Sequence, residues 1–95
     1  MKNLFNLSSL TVEEINAILD RAQQFAEGQT SDIAKGKIIA SLFFEPSTRT
    51  QNSFTTAVMR LGGQVIGFSE PNSSSAAKGE SIADTAKMIS CYADI

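Results

Sequence analysis

The spacing of apolar positions changes several times along the chain, and each change marks an element. Ile15, Ile18, Leu19, Ala22, Phe25 and Ala26 recur at the spacing of one helix face. Thr11-Val-Glu-Glu14 ahead of them has the form of a capping box, with Thr11 as N-cap and Glu14 reaching back. Gly28 suits the residue just past a helix end, so this helix stops near Glu27. Lys37-Ile-Ile-Ala-Ser-Leu-Phe-Phe44 is a continuous apolar run without polar alternation, which predicts a strand buried on both faces. Glu45-Pro46-Ser47-Thr48 breaks it. A second helix follows, with Phe54, Ala57, Val58 and Leu61 on one stripe and Gly62-Gly63 as its stop. Gln64 to Phe68 reads as a short second strand, and Ser69 to Gly79 as a polar loop around Ser73-Ser74-Ser75. A third helix takes Ser81 to Tyr92, with Ile82, Ala86, Ile89 and Ala93 inward. Met59, Met88 and Cys91 read as packing residues.

Helix, strand, helix, strand, helix is the order of a three-layer α/β domain, because strands separated by helices pair in parallel through right-handed crossovers. Two parallel strands with an open edge make an unfinished sheet. Ala93-Asp94-Ile95 reads as the start of a third strand, so the sequence is expected to be part of a longer chain. Its 95 residues sit below the usual domain length, and alone they would bury little more than ~60% of the unfolded surface.

Composition narrows the chemistry. At 42% hydrophobic and 19% charged the chain is an ordinary globular sequence rather than a disordered one. A net charge of −2 argues against a basic nucleic-acid-binding surface. No apolar run approaches a membrane span, and MKNLFNLSSL is too short and polar for a signal peptide, so the expected compartment is the cytoplasm. Cys91 is the single cysteine and histidine is absent, which removes disulfides, cysteine zinc sites and histidine acid–base chemistry from these residues.

The chemistry concentrates in Ser41-Leu-Phe-Phe-Glu-Pro-Ser-Thr-Arg-Thr50, where a buried strand runs into a turn and the turn into a helix start. Ligands of open α/β sheets bind beyond the carboxyl ends of the strands. The free N–H groups of a helix N-terminus favour an anion. Ser47, Thr48, Arg49 and Thr50 bring three hydroxyls and a guanidinium to that turn, and the planar fork of an arginine suits phosphate oxygens. The plain alternative is an ordinary serine N-cap beside a solvated arginine. Neither glycine-rich nucleotide loop is present. A second candidate is Ser73-Ser-Ser-Ala-Ala-Lys-Gly-Glu80, which follows the second strand and so belongs to the same sheet edge. Lys78 is a cation on a small-residue loop that can close over a ligand, or simply part of a polar connector.

Phe43-Phe-Glu-Pro-Ser-Thr-Arg-Thr50 closely resembles the carbamoyl-phosphate motif of the aspartate and ornithine carbamoyltransferases. Lys78-Gly-Glu-Ser81 with Ala83-Asp-Thr85 resembles their second-loop signature, at the matching separation. The resemblance covers essentially the whole chain. Phe-Phe-Glu ahead of Ser-Thr-Arg-Thr looks like the aspartate branch, since the ornithine branch usually has lysine after the glutamate. The family usually continues Ser-Thr-Arg-Thr-Arg, and Gln51 stands here in place of the last arginine. The replacement weakens the local positive potential or removes a packing contact.

The resemblance implies the N-terminal, incomplete part of a carbamoyl-phosphate-binding domain over residues 1–95, with the aspartate-binding domain outside this chain. It implies carbamoyl transfer from carbamoyl phosphate to the α-amine of L-aspartate, a step of pyrimidine synthesis, with no metal or organic cofactor. By position, Ser47, Thr48, Arg49 and Thr50 hold the phosphate, and the Thr50 hydroxyl also meets the carbonyl oxygen. Ser74 and Lys78 match loop residues that reach into the neighbouring subunit's site, with Lys78 also meeting aspartate. That implies a homotrimer with shared sites, and leaves a regulatory chain open. Glu80 matches a position expected to orient the loop. Two other readings compete: a truncated, non-catalytic phosphate-binding or assembly module, and an ornithine carbamoyltransferase.

Overall fold

The computed structural model describes residues 3–68 and 81–95, in two units. The first unit, residues 1–30, holds a short 3-10 turn, Leu7–Ser9, and helix α1, Val12–Ala26. The capping box predicted for α1 is present in full. The Thr11 hydroxyl accepts the Glu14 N–H at 3.1 Å, and the Glu14 carboxylate accepts the Thr11 N–H at 2.9 Å. Each satisfies a backbone donor that the first turn leaves without an intrahelical partner. Glu27 is the C-cap, and Gly28 follows it at φ 107°, as its place past the helix predicts. The Arg21 guanidinium lies 4.8 Å from the centroid of the Phe25 ring, one turn along.

The Thr11 N–H holds the Glu14 carboxyl below its ordinary pKa, because that bond favours the ionised form. The linkage has a definite sign. A depressed folded pKa gives stability that is present above the unfolded value, about 4.3, and is lost as pH falls through the folded one. The start of α1 is therefore expected to fray only under acid conditions below that value. Glu14→Gln should flatten the response, and amide exchange at Thr11 against pH reads it. A Glu14→Gln chain with an unchanged acid profile would place the titration elsewhere.

The second unit, residues 31–95, contains β1, Ile38–Leu42; α2, Thr48–Arg60; β2, Gln64–Phe68; and α3, Ile82–Ile89. β1 and β2 pair in parallel with α2 as the crossover, from Ile38 opposite Gln64 to Leu42 opposite Phe68. The α/β reading is thus realised, and the second strand has the predicted bounds. The other edge of β1 meets the last three residues. Ile95 N–H donates to Ile38 O at 3.4 Å and Ala40 N–H to Ile95 O at 2.7 Å, the pattern of one parallel rung, and Asp94 N–H also donates to Ile38 O at 2.7 Å. The Asp94 carboxylate accepts the Ile38 N–H at 2.9 Å and fixes that register. Ala93–Ile95 thus runs along the other edge of β1, where the expected third strand would lie, but is not itself a strand of the two-stranded sheet. Gly67 is demanded by the pairing: it sits at φ 130°, and a Cβ there would collide with the Ser41 carbonyl.

Two of the predicted helix faces are partly rotated, though Val58 and Leu61 of one stripe and Ile89 and Ala93 of the other are half-buried as predicted. On α2 the half-buried positions are Gln51, Thr55 and Val58, while Phe54 is 61% exposed and Ala57 is exposed. On α3 the inward side is Thr85, Met88 and Ile89, and Ile82 and Ala86 face out. Thr85 is the only fully buried side chain among the described residues. The third helix is also shorter than predicted, ending at Ile89 with turns over Ser90 to Tyr92. Met59 and Cys91 are exposed rather than packed. β1 is half-buried along its whole length rather than enclosed on both faces. For the helix faces the reason is shallow burial: no apolar side chain among the described residues is fully buried, so a threonine or glutamine can occupy the covered face as readily as a leucine. No helix among the described residues is long and apolar enough to cross a membrane.

Candidate functional site

β1 delivers the chain to Phe43, whose N–H still donates to Phe68 O at 2.9 Å. Beyond it, Phe44, Glu45 and Pro46 make no backbone hydrogen bond among the described residues, and α2 begins at Thr48. The break is dictated locally. Pro46 has no N–H to donate, and it biases Glu45 away from helical geometry. The predicted turn therefore lies at the carboxyl end of the parallel strands, where ligands of such sheets bind.

Ser47 occupies the N-cap position of α2, yet its hydroxyl makes no capping bond. Both other helices are capped, α1 by Thr11 and α3 by Ser81, whose hydroxyl accepts the Asp84 N–H at 3.0 Å. The first main-chain bond of α2 is Gln51 N–H to Ser47 O at 2.9 Å. The N–H groups of Thr48, Arg49 and Thr50 consequently have no hydrogen-bond acceptor among the described residues. Ser47 thus stands at the N-cap without the side-chain bond of an ordinary cap, while Arg49 is exposed, as the plain alternative expects.

Charge makes the same distinction. α1 carries Glu13 and Glu14 in its first turn and α3 carries Asp84, each complementing the positive end of its helix. α2 has no acidic residue there and presents Arg49 instead. A cation against a helix N-terminus is locally unfavourable, by ~0.3–1 kcal/mol at an exposed end. A bound anion reverses that sign and gives the three free amides an acceptor at once. Thr48, Arg49 and Thr50 are exposed and Ser47 is half-buried, so the turn is open to a ligand. The Arg49 carbonyl accepts the Ser53 hydroxyl at 2.9 Å, which ties the first turn to the second. The missing acid in this first turn was a readable signal for the site, beyond the residue types themselves.

Gln51 belongs to a different face. It is half-buried on the stripe that continues through Thr55 and Val58, away from the exposed Thr48 to Thr50. Of the two consequences drawn for its replacing arginine, a changed packing contact fits this placement. Ser74, Lys78 and Glu80 lie outside the described residues. An apolar groove of about 240 Å³ runs between β1 and α2, lined by Ile39 to Phe43, Phe54, Val58 and Val65. None of Ser47 to Thr50 lines it, and it has no charged group to hold an anion. Among the described residues no cluster of acidic or cysteine side chains could hold a metal.

The chain matches the family described as "Aspartate/ornithine carbamoyltransferase, carbamoyl-P binding domain" over residues 2–95. It is 54% identical over 96 aligned positions to the aspartate carbamoyltransferase catalytic subunit of Clostridium perfringens, covering 99% of this chain and 31% of that one. The Clostridium botulinum protein of the same name is 52% identical, with the same coverage. Among solved structures, the catalytic subunit of M. jannaschii aspartate transcarbamoylase superposes with a TM-score of 0.85 at 48% identity, covering 99% of this chain and 33% of that one. Aspartate transcarbamoylase from Trypanosoma cruzi, in complex with carbamoyl phosphate and aspartate, gives a TM-score of 0.74 at 34% identity, covering 92% and 28%. The chain thus spans about a third of the length of the relatives it matches.

Proposed function

Because this chain belongs to the aspartate/ornithine carbamoyltransferase family, through the carbamoyl-P binding domain, we propose that it is the carbamoyl-phosphate-binding part of an aspartate carbamoyltransferase. The reaction moves the carbamoyl group of carbamoyl phosphate to the α-amine of L-aspartate, giving N-carbamoyl-L-aspartate and phosphate. The observation that carries this reading is the uncapped, acid-free start of α2. Aspartate rather than ornithine as acceptor is supported by the names of both clostridial relatives.

In this reading the amides of Thr48 to Thr50, the Ser47 and Thr48 hydroxyls and the Arg49 fork surround the phosphate. Arg49 neutralises the charge that grows on phosphate as it leaves. The amine attacks the carbonyl carbon, and negative charge develops on the carbonyl oxygen of the tetrahedral intermediate. The Thr50 hydroxyl donates to that oxygen. Donors held in place before charge appears stabilise the transition state more than the ground state. Ser74 and Lys78 would complete the site from a neighbouring subunit of a homotrimer, Lys78 meeting both substrates. The aspartate side of the site belongs to the length of the relatives that this chain does not span. The setting is cytoplasmic.

The test separates binding from turnover. The 95-residue chain should bind inorganic phosphate and carbamoyl phosphate, with Arg49→Ala removing most of the affinity in titration calorimetry. It should show no carbamoyl transfer, because both substrates must be held together for the reaction to gain from orientation. The second reading is a phosphate-binding module without transfer activity. A chimera in which this chain replaces the matching part of the Clostridium perfringens relative decides between them. Transfer by the chimera supports the enzyme, and phosphate binding without transfer supports the module. Turnover of aspartate by the 95-residue chain above a boiled control would overturn the division of labour.

A further inference from the structure

The turn that carries Ser47 to Thr50 has to be held to a fraction of an ångström if its donors are to meet one anion. Its backbone does not provide that. Between the Phe43 N–H, bonded to Phe68 O, and the Gln51 N–H, bonded to Ser47 O, no main-chain donor finds a protein acceptor among the described residues. No side-chain hydrogen bond anchors Phe44, Glu45, Pro46 or Ser47 there either, and Glu45 and Pro46 are exposed. A ring contact does reach this stretch. The half-buried Phe44 ring meets the half-buried Phe68 ring edge to face, with centroids 5.2 Å apart and planes at 84°. That arrangement sets the edge of one ring against the face of the other, so it fixes direction as well as distance. Phe68 is itself held by the ladder: it is the last residue of β2 and lies opposite Leu42.

We propose that the Phe44–Phe68 ring pair is the positioning device of the phosphate-binding turn, transferring the order of the sheet to a loop whose residues Phe44 to Pro46 make no main-chain bond among the described residues. Neither ring touches the ligand. The role rests on the function proposed above, and deepens it by naming what holds the anion site in register.

The experiment has one arm that needs no ligand. In the unliganded 95-residue chain, ¹⁵N relaxation should show Glu45, Ser47 and Thr48 ordered, with values falling from about 0.85 toward 0.6 in Phe44→Leu and in Phe68→Leu. Phe68→Tyr keeps the ring and should keep the order. Val65→Ala trims a half-buried β2 residue away from the pair and should leave the turn unchanged. Phe44→Met, whose unbranched side chain adapts to the space without a ring, serves where Phe44→Leu weakens the fold too far. In the second arm, inorganic phosphate should bind three- to tenfold more weakly to either Leu variant. The double variant should bind no more weakly than the worse single one, because both changes remove one shared contact. Unchanged relaxation of the turn in both Leu variants overturns the proposal. So does equal loosening by Val65→Ala, or additive losses in phosphate affinity. A wild-type chain that binds no phosphate overturns the proposed function instead, and the relaxation arm still decides the role of the rings.

Discussion

Arg49→Ala, made in the chimera with the Clostridium perfringens relative, is expected to lower kcat/KM for carbamoyl phosphate by roughly 30- to 900-fold. The figure follows from the loss of a charged, two-pronged donor to an oxygen that gains charge in the transition state, ~2–4 kcal/mol. Arg49 stands in the first turn of α2, where no acidic side chain accompanies it and the neighbouring amides have no acceptor among the described residues. Removing the guanidinium therefore removes the full charge of this turn, and the helix end keeps only its partial charge. Gln51→Arg is the matched comparison. Gln51 is half-buried on the stripe shared with Thr55 and Val58, so a guanidinium there leads away from the exposed donors. It should change activity by less than about tenfold, ~1.4 kcal/mol. If Gln51→Arg proved the more damaging change in steady-state kinetics, the ligand would have to meet the inward face of α2.

What the sequence disclosed of this site was what is local. Thr11 with Glu14 is legible because a cap is made within four residues, whereas Ser81, read as the first residue of its helix, is the N-cap ahead of Asp84. Pro46 after an apolar run locates the turn in the same local way. The covered faces of α2 and α3 were not legible. Phe54 and Ile82 look inward by hydropathy, whereas Gln51, Thr55 and Thr85 occupy the covered positions. Which face of a helix packs is set by the crossover between parallel strands, and hydropathy resolves it only where burial is deep enough to exclude the wrong residues. Ser47 illustrates a second limit. The residue types that cap a helix also bind an anion at its start, and only the geometry shows that this hydroxyl makes no cap. The Phe44–Phe68 contact shows a third: it follows from the register that sets Phe68 opposite Leu42, and register is a property of two strands together.

The proposed sharing of the site between subunits has a consequence that a single chain cannot mimic. In the chimera, Lys78→Ala and Arg49→Ala should each leave little transfer activity. If Lys78 serves the neighbouring subunit's site, mixed trimers assembled from the two variants should regain part of it. The argument is one of geometry. Some boundaries in a mixed trimer bring an intact Ser47–Thr50 turn on one subunit together with an intact Lys78 on the next, and that site carries no lesion. If Lys78 serves its own chain's site, every site in the mixture keeps one lesion and nothing is regained. Ser74→Ala against Arg49→Ala should complement in the same way, since Ser74 lies in the same segment between β2 and α3. The two variants are dissociated, mixed, reassembled and assayed, with native mass spectrometry counting the mixed trimers. Activity no higher than the sum of the parents, with mixed trimers present, places Lys78 in its own chain's site or outside the reaction. Recovery that rises with the fraction of mixed trimers requires the turn at the start of α2 and the segment carrying Lys78 to meet across a subunit boundary.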